Sequence, residues 1–291
     1  MNAPVNMCLA GKGQDDKRAK VRRREEAVVT VGYLCVMNQE LWTYEPDIRR
    51  AWTPPAWLYT DQEVWRWMAA DVFGTSWQYV ADSQDVLLPG MCRPHTMNEG
   101  IAPEPVVAVR GADDVVRVLS NVCTHRAAVV VDAPCRAKEL RCRYHGRRFG
   151  LDGRFVAMPS FGDVEGFPTA ADDLAALEVG QWGGMVMAAV KPTVPFTAWI
   201  DGLDERLRHL PWAAMAPDTT RNRDYVVRAN WALYVENYLE GFHIPFVHPG
   251  LNDVLNATDY DTILLPHGVY RLALHEATKG DSNCRRGIPT A

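Results

Sequence analysis

Two cysteine and histidine pairs are the residues of this sequence best suited to bind metal. Cys123 and His125 are two positions apart, Cys142 and His145 are three apart, and sixteen residues separate the pairs. Two thiolates and two imidazoles suit a [2Fe-2S] centre in which the cysteines hold one iron and the histidines the other. A structural zinc ion is the alternative, although the zinc-finger order of two Cys followed by two His is absent. The ligand types favour iron–sulfur and leave zinc open.

The segments around these pairs resemble a known family. NVCTHR and RCRYHGRRFGLDGRF look like the Rieske domain of ring-hydroxylating oxygenase large subunits, which implies a [2Fe-2S] cluster held by the four residues named above. Many relatives have Gly at the position of Ala127 and Trp at that of Arg147. Neither position is a ligand, so these departures concern the packing of the loops.

A second constellation comprises Glu240, His243 and His248, within a segment that begins as a helix. Glu240 and His243 share a helix face, but His248 lies about 140° further round an ideal helix. We expect Pro245 to kink the helix and to bring His248 towards His243. Two imidazoles and a carboxylate can bind mononuclear Fe(II), yet by itself the motif is weak, since helical histidines are more often core or surface residues.

The segment NWALYVENYLEGFHIPFVHP closely resembles the iron-binding helix of the Rieske oxygenase catalytic domain. This resemblance implies that His243 and His248 bind Fe(II). Glu240 matches the bridging acid, usually Asp and sometimes Glu, that links an iron-ligating His to the second Rieske His of a neighbouring subunit. A carboxylate that accepts N–H bonds from two imidazoles fixes their tautomers and raises ligand basicity. The alternative is an ordinary acid on a helix surface.

Local patterns predict the elements that position these residues. A capping box at Thr60 to Glu63 begins a helix over Asp61–Phe73, and helical periodicity returns over Thr197–Leu210. Asp152-Gly153 predicts a hairpin within Arg148–Val156, and Gly183-Gly184 divides a strand pair over Val179–Val190. Further strands are predicted at Pro105–Arg110, Val115–Val122, Leu140–Arg143 and Asp224–Ala229.

The fold class that follows is α+β, and its layout rests partly on the resemblance. We expect a disordered extension over 1–45, the N-terminal helix of the catalytic domain over 46–75, an inserted all-β Rieske domain over 76–165, and part of an antiparallel-sheet, helix-grip catalytic domain over 166–291. In relatives the third iron ligand is a carboxylate that lies far beyond the second histidine, whereas 43 residues follow His248 here. We therefore expect an incomplete catalytic domain that binds Fe(II) weakly. The carboxylates still available are Asp253, Asp259, Asp261, Glu276 and Asp281.

Composition and charge limit the classes of partner and the cellular compartment to be expected. The chain has 291 residues, 47% of them hydrophobic, and its formal charge of −5 gives no reason to expect nucleic acid or an anionic membrane as a partner. Seven cysteines include five outside the metal-binding pairs, without a disulfide framework, and we interpret Cys135 as a free thiol. No apolar run approaches ~20 residues and no signal peptide is evident, so we expect a cytoplasmic protein.

The resemblance implies the oxygenase component of a Rieske non-heme iron system. Electrons would pass from a flavin-containing NAD(P)H reductase, with or without a ferredoxin, to the cluster, and then to the mononuclear iron of an adjacent subunit in a homotrimer. With O2, the iron would hydroxylate a small organic substrate, an aromatic acid or a quaternary amine. A glutamate at the bridging position, Glu240, slightly favours the quaternary amine. The alternative is a Rieske electron carrier, or an inactive fragment, whose vestigial catalytic domain lacks the third iron ligand.

Overall fold

A computed structural model describes residues 45, 47, 49–162, 164–212, 215–252, 260–265 and 268–273. Between Asn230 and Trp231 the described chain divides into two compact units. The helices of the first unit are α1 (Trp57–Thr60), α2 (Gln62–Trp67), a π-helix (Met68–Phe73), α3 (Phe196–Ile200) and α4 (Leu203–Leu207). Short 3-10 turns lie at Ser83–Val86, Ala170–Asp172 and Thr219–Arg221.

Ten strands form three antiparallel sheets in the first unit. Four strands associate in the order β4-β3-β2-β5, three in the order β6-β7-β8, and three in the order β1-β10-β9. Their bounds are β1 (Gln78–Asp82), β2 (Met91–Met97), β3 (Glu104–Arg110), β4 (Val116–Ser120), β5 (Cys135–Arg136), β6 (Leu140–Arg141), β7 (Arg148–Phe149), β8 (Phe155–Ala157), β9 (Glu178–Trp182) and β10 (Met185–Ala189). The fold is therefore a mixture of helices and antiparallel sheets, as the sequence predicts.

Strand β3 separates two hydrophobic cores. Val106, Val107, Ala108 and Val109 are all fully buried. Because successive side chains of a strand point to opposite faces, Val107 and Val109 enter one core, which also contains Cys123 and Cys142, while Val106 and Ala108 enter the other. The continuous apolar run of β3 reflects this burial on both faces. The core that contains these two predicted ligand cysteines is called the ligand core below.

The predicted helix at Asp61–Phe73 forms, with two differences. Asp61, not Thr60, is the capping residue, because its Oδ1 accepts hydrogen bonds from the amides of Glu63 at 2.7 Å and Val64 at 3.3 Å. After Trp67 the helix widens into the π-helix. Gly74 ends it as predicted, and its amide bonds to the carbonyl of Ala69 five residues earlier at 3.1 Å.

The two glycine-containing turns are confirmed. Asp152-Gly153 turns between β7 and β8, with Gly153 at a φ of +88°, and Gly183-Gly184 joins β9 to β10 at φ values of +58° and +84°. These left-handed backbone conformations favour glycine, which is why the sequence marks both turns. Strand β6 is shorter than the predicted Leu140–Arg143 and ends at Arg141.

Two predictions for the later part of the first unit are wrong. The helix predicted over Thr197–Leu210 is divided into α3 and α4, because Gly202 adopts a left-handed φ of +72° between them. No strand forms at Asp224–Ala229, where the Tyr225 and Val226 side chains are 83% and 95% exposed. A strand needs a neighbour for its backbone hydrogen bonds, and within the described ranges this segment pairs with none.

The second unit contains α5 (Trp231–Leu239), α6 (Ile244–Val247), α7 (Pro249–Asn252) and a hairpin of β11 (Tyr260–Leu265) and β12 (Gly268–Ala273). The strand pairing runs in register from Tyr260 opposite Ala273 to Leu265 opposite Gly268. No helix in the described part of the chain is long and apolar enough to cross a membrane.

Replacing Gly180 by alanine is expected to destabilise the first unit. A Cβ at this position would lie 2.1 Å from the Phe196 ring, which itself contacts Trp77 at a centroid distance of 5.1 Å. Forcing extra volume into such a contact costs about 1 to 3 kcal/mol. Gly162→Ala is the control, because no atom lies within 4 Å of its added Cβ. Equal urea midpoints for the two variants would contradict the expected close contact between β9 and α3.

Candidate metal centres

The two predicted cluster loops have the same backbone arrangement. In the first loop, the Cys123 amide bonds to the carbonyl of Ala128 at 2.8 Å, and the Ala127 amide bonds to the carbonyl of Cys123 at 2.9 Å. In the second, the Cys142 amide bonds to Arg147 at 2.9 Å, and the Gly146 amide bonds back to Cys142 at 3.0 Å. Each cysteine is therefore bonded to the residues four and five positions later. This repetition is not evident from the unequal C-x-H and C-x-x-H spacings.

A left-handed residue closes each loop. Ala127 has a φ of +54° and Gly146 a φ of +72°. A left-handed conformation is unfavourable for a residue that has a Cβ, but not for glycine. This gives a physical reason for the glycine that many relatives have at the position of Ala127. At Gly146 an added Cβ would also lie 3.1 Å from Pro159. The second loop therefore needs its glycine on two counts, whereas the first tolerates alanine.

The cysteines lie on the inner side of the candidate cluster site. Cys123 and Cys142 are 3% and 2% exposed and belong to the ligand core. Burial raises the pKa of the Cys123 thiol, a hydrogen bond from the His125 amide opposes this, and the neighbouring Cys142 thiol raises it further. A metal that binds Cys123 must displace the proton of this thiol.

The histidines lie on the outer side. The rings of His125 and His145 are 4.7 Å apart between centroids, at 71° to each other, and Tyr144 lies 3.9 Å from His145. His125 Nδ1 is buried without a hydrogen-bond partner. Partial burial, and then the charges of His145 and two arginines, lower the pKa of His125 and so favour the neutral ring that a metal requires.

The four side chains therefore fit an iron–sulfur cluster. Two adjacent sulfurs face inwards, two adjacent imidazoles face outwards, and a buried imidazole nitrogen lacks a partner. In the described ranges, no three His, Cys, Asp or Glu side chains are arranged to hold one metal ion. Pairs of ligands match a centre in which each iron takes two protein ligands and the bridging sulfides supply the rest.

Several residues that hold the two loops in place were not predicted from the sequence. Asn121 is buried, its side-chain amide donates to the Val131 carbonyl at 2.7 Å, and its Oδ1 accepts from the Val131 amide at 2.8 Å. Thr124 donates its hydroxyl to the carbonyl of Asp172 at 2.8 Å. The only local sign of Asp172 is the Thr169-x-x-Asp172 capping pattern, which predicts a turn but not its contact with a distant loop.

The second candidate site lies where α5 ends and α6 begins. Helix α5 stops at Leu239, and α6 starts at Ile244 with His243 as its N-cap and His248 as its C-cap. The helix is interrupted before His248, as predicted, but Pro245 is not the cause. Proline occupies the first turn of α6, where its missing amide proton leaves no helical hydrogen bond unmade. The break itself falls between Glu240 and His243.

This break brings the predicted residues together. The rings of His243 and His248 are 5.3 Å apart between centroids. Glu240 Oε1 hydrogen-bonds to His243 Nδ1, and Oε2 accepts from the Phe242 amide at 2.5 Å. Partial burial acts to raise the pKa of Glu240, but the contacts with His243 and Phe242 prevail and lower it. An ionised Glu240 holds the proton on Nδ1 of His243, which leaves Nε2 as the free lone pair.

Among the described side chains, no carboxylate completes a three-ligand metal site with His243 and His248. Asp253, Asp259, Glu276 and Asp281 lie outside the described residues, and Asp261 is described only as a backbone position in β11. Their predicted part in iron binding stays a prediction. Cys135 is a free thiol, as expected, and lies opposite the buried Cys92 in the β2–β5 pair.

Comparisons with known families match both regions. The Rieske [2Fe-2S] domain matches residues 76–168, and the catalytic domain of the ring hydroxylating alpha subunit matches residues 214–281. These matches confirm the resemblance carried by the two motifs. They also decide the choice that the ligand types left open, in favour of a [2Fe-2S] cluster rather than zinc.

The curated relatives include a carnitine monooxygenase and a choline monooxygenase. The chain is 30% identical to the carnitine monooxygenase oxygenase subunit of Acinetobacter pittii (strain PHEA-2) over 219 residues, which covers 74% of this chain and 57% of that protein. It is 24% identical to the chloroplastic choline monooxygenase of Arabidopsis thaliana over 258 residues, covering 84% of this chain and 60% of that protein. The chain thus spans less than two thirds of either relative.

A solved structure shares the fold. The quaternary ammonium Rieske monooxygenase CntA in complex with its substrate L-carnitine superposes with a TM-score of 0.62 at 26% identity. The superposition covers 76% of this chain and 62% of that one. It extends across more of the chain than the Rieske match alone.

Proposed function

We propose that this chain, which belongs to the family of Rieske-type oxygenase alpha subunits, is the oxygenase component of a Rieske non-heme iron monooxygenase acting on a quaternary amine. The observation that carries the proposal is the pair of equivalent loops, which brings two buried cysteines and two adjacent histidines to one site. When bound, the [2Fe-2S] cluster supplies single electrons and the mononuclear iron activates dioxygen.

Within this proposal Cys123, His125, Cys142 and His145 hold the cluster. The buried cysteines anchor it in the ligand core, and the histidines form its outer edge. His145 and the neighbouring Tyr144 are exposed. An exposed imidazole that held the cluster would be suited to pass an electron to a group outside the loop, because its other side is accessible.

His243 and His248 bind the mononuclear Fe(II), and Glu240 orients His243. The ionised carboxylate fixes the tautomer of His243 and raises the basicity of its other nitrogen. Both ligand residues flank a four-residue helix, so one rigid turn sets their spacing. In the assembled protein Glu240 also bridges to the second Rieske histidine of a neighbouring subunit. That assembly is proposed to be a homotrimer or a multiple of it.

The substrate class rests on the relatives. Carnitine monooxygenase, choline monooxygenase and a structure containing L-carnitine all concern quaternary ammonium compounds. Glu240, an acid that is usually Asp in the wider family, agrees with this class. We further propose a flavin-containing NAD(P)H reductase as the electron donor, with or without a ferredoxin, and a cytoplasmic location. The domain limits given above are retained as part of the proposal.

Substrate-dependent oxygen uptake tests the proposed function. The protein, loaded with iron and supplied with NADH and a flavin-containing NAD(P)H reductase, is incubated with carnitine, choline, γ-butyrobetaine or benzoate. We expect at least one quaternary amine to stimulate oxygen uptake and to be consumed, as measured by mass spectrometry, while benzoate does neither. Turnover of benzoate alone would contradict the substrate class. A cluster that is reduced and reoxidised without oxidation of any substrate would favour the electron-carrier alternative.

A further inference from the structure

A buried arginine lies in the second cluster loop. Arg147 is 3% exposed, two residues after His145, and its backbone carbonyl closes the loop on Cys142. Arginine is almost never fully buried unless its charge is paired, because removing the charge from water is costly. The partner here is Asp172, whose Oδ1 accepts from Nη2 at 2.6 Å, and whose backbone carbonyl lies 3.3 Å from the same nitrogen.

Packing alone does not require a charge at this position. The guanidinium carbon lies 5.8, 4.8 and 5.6 Å from the ring centroids of Phe149, Phe155 and Phe167. Three aromatic rings could also pack around an uncharged ring, so the aromatic contacts do not account for the arginine. What arginine adds to this aromatic site is a positive charge.

The charge is held in place by a rigid counter-ion. Asp172 Oδ2 accepts from the amide and the hydroxyl of Thr169 at 2.8 and 3.1 Å, which fixes the 3-10 turn. The carbonyl of Asp172 also accepts the hydroxyl of Thr124, between the two ligands of the first loop. One turn therefore contacts both cluster loops, so neither member of the ion pair can move away without disturbing them.

One donor of the buried guanidinium is uncommitted. Arg147 Nε is buried and has no hydrogen-bond partner, and the same is true of His125 Nδ1 in the facing loop. Buried donors are normally satisfied. Two unsatisfied nitrogens on the two cluster loops suggest that both face the group which the loops hold.

We propose that Arg147 raises the reduction potential of the [2Fe-2S] cluster through its buried charge, and that Asp172 limits this rise. The inference rests on the proposed function, because it requires the cluster. Reduction adds one negative charge to the cluster. A nearby cation stabilises that charge more strongly in a medium of low dielectric constant than it would in water. Arg147 does not bind iron in this proposal. It acts on the cluster electrostatically.

Reduction potentials of the holoprotein variants test this proposal. Arg147→Trp fills the aromatic site without charge and is expected to lower the potential, with about a tenfold smaller reduced-to-oxidised ratio at a fixed applied potential, or about 59 mV for one electron. Asp172→Asn retains the guanidinium and is expected to raise the potential. The double variant should fall between the two, and Arg147→Lys should stay nearest to the unmodified protein.

Arg143→Gln is the matched control. Arg143 lies in the same loop, next to Cys142, but it is exposed and pairs with the exposed Asp132 at 2.7 Å. Water screens such a charge, so its removal should leave the potential almost unchanged. If Arg147→Trp retains its cluster but has an unchanged potential, or shifts no more than Arg143→Gln, the electrostatic role is wrong. If Arg147→Trp loses its cluster, Asp172→Asn decides, and an unchanged or lower potential refutes the proposal. Absence of a cluster from the unmodified protein would instead refute the proposed function.

Discussion

Replacing Cys142 by serine is expected to abolish the iron–sulfur centre. The unmodified protein should be red-brown and, once reduced, should give the low-average-g EPR signal of a histidine-ligated [2Fe-2S] cluster. Serine removes one of the two buried thiolates that face the ligand core, and its hard oxygen binds this iron poorly. Colour, EPR signal and two equivalents of iron should all disappear together.

Cys135→Ser is the control for this experiment. Cys135 is a free, exposed thiol in β5, outside both loops, so its replacement should leave the cluster intact. A Cys142→Ser protein that keeps the full EPR signal would show that Cys142 is not a ligand. A colourless unmodified protein containing stoichiometric zinc would overturn the assignment of the whole site.

Replacing Glu240 by glutamine is expected to slow electron transfer between the metals while leaving both in place. Glutamine keeps the size of the side chain and one acceptor oxygen for His243, but it loses the charge that fixes the imidazole tautomer. Its NH2 group also cannot accept a hydrogen bond from a second imidazole. We expect substrate-coupled reoxidation of the reduced cluster to be slowed by about 10- to 100-fold or more, measured in single-turnover stopped-flow experiments.

Glu236→Gln controls for the loss of a nearby negative charge. Glu236 is an exposed residue of α5, one turn before Glu240. This variant should reoxidise at the rate of the unmodified protein. If Glu240→Gln also reoxidises at that rate with its iron content unchanged, the bridging role is wrong. A loss of mononuclear iron from Glu240→Gln would mean that the residue serves iron binding rather than electron transfer.

Local chemistry predicted a candidate metal site at the two Cys and His pairs, and the resemblance to the Rieske domain implied its [2Fe-2S] cluster. Four candidate ligands in two short segments and a glycine turn after Asp152 are each set by neighbours in the chain, and the structure adds a left-handed φ at Gly146. The strand at Pro105–Arg110 follows from an apolar run of the right length between turn residues. The break between Glu240 and His248 was predicted from the helix angle, although its position was not. Proline is compatible with the first turn of a helix, so its presence alone could not show on which side the break falls.

The sequence by itself specified the candidate metal-binding residues and most of the short elements that carry them, because ligand spacing, turn residues and strand alternation act over a few residues. The tertiary structure decided what surrounds them. Thr124 meets Asp172, 48 residues away, and Arg147 meets Asp172 across 25 residues. Asp224–Ala229 has the composition of a strand but pairs with no neighbour in the described structure. Such contacts depend on where distant segments pack, and no local pattern specifies that. The burial that turns Arg147 from a surface cation into a charge beside the cluster site is therefore a property of the fold.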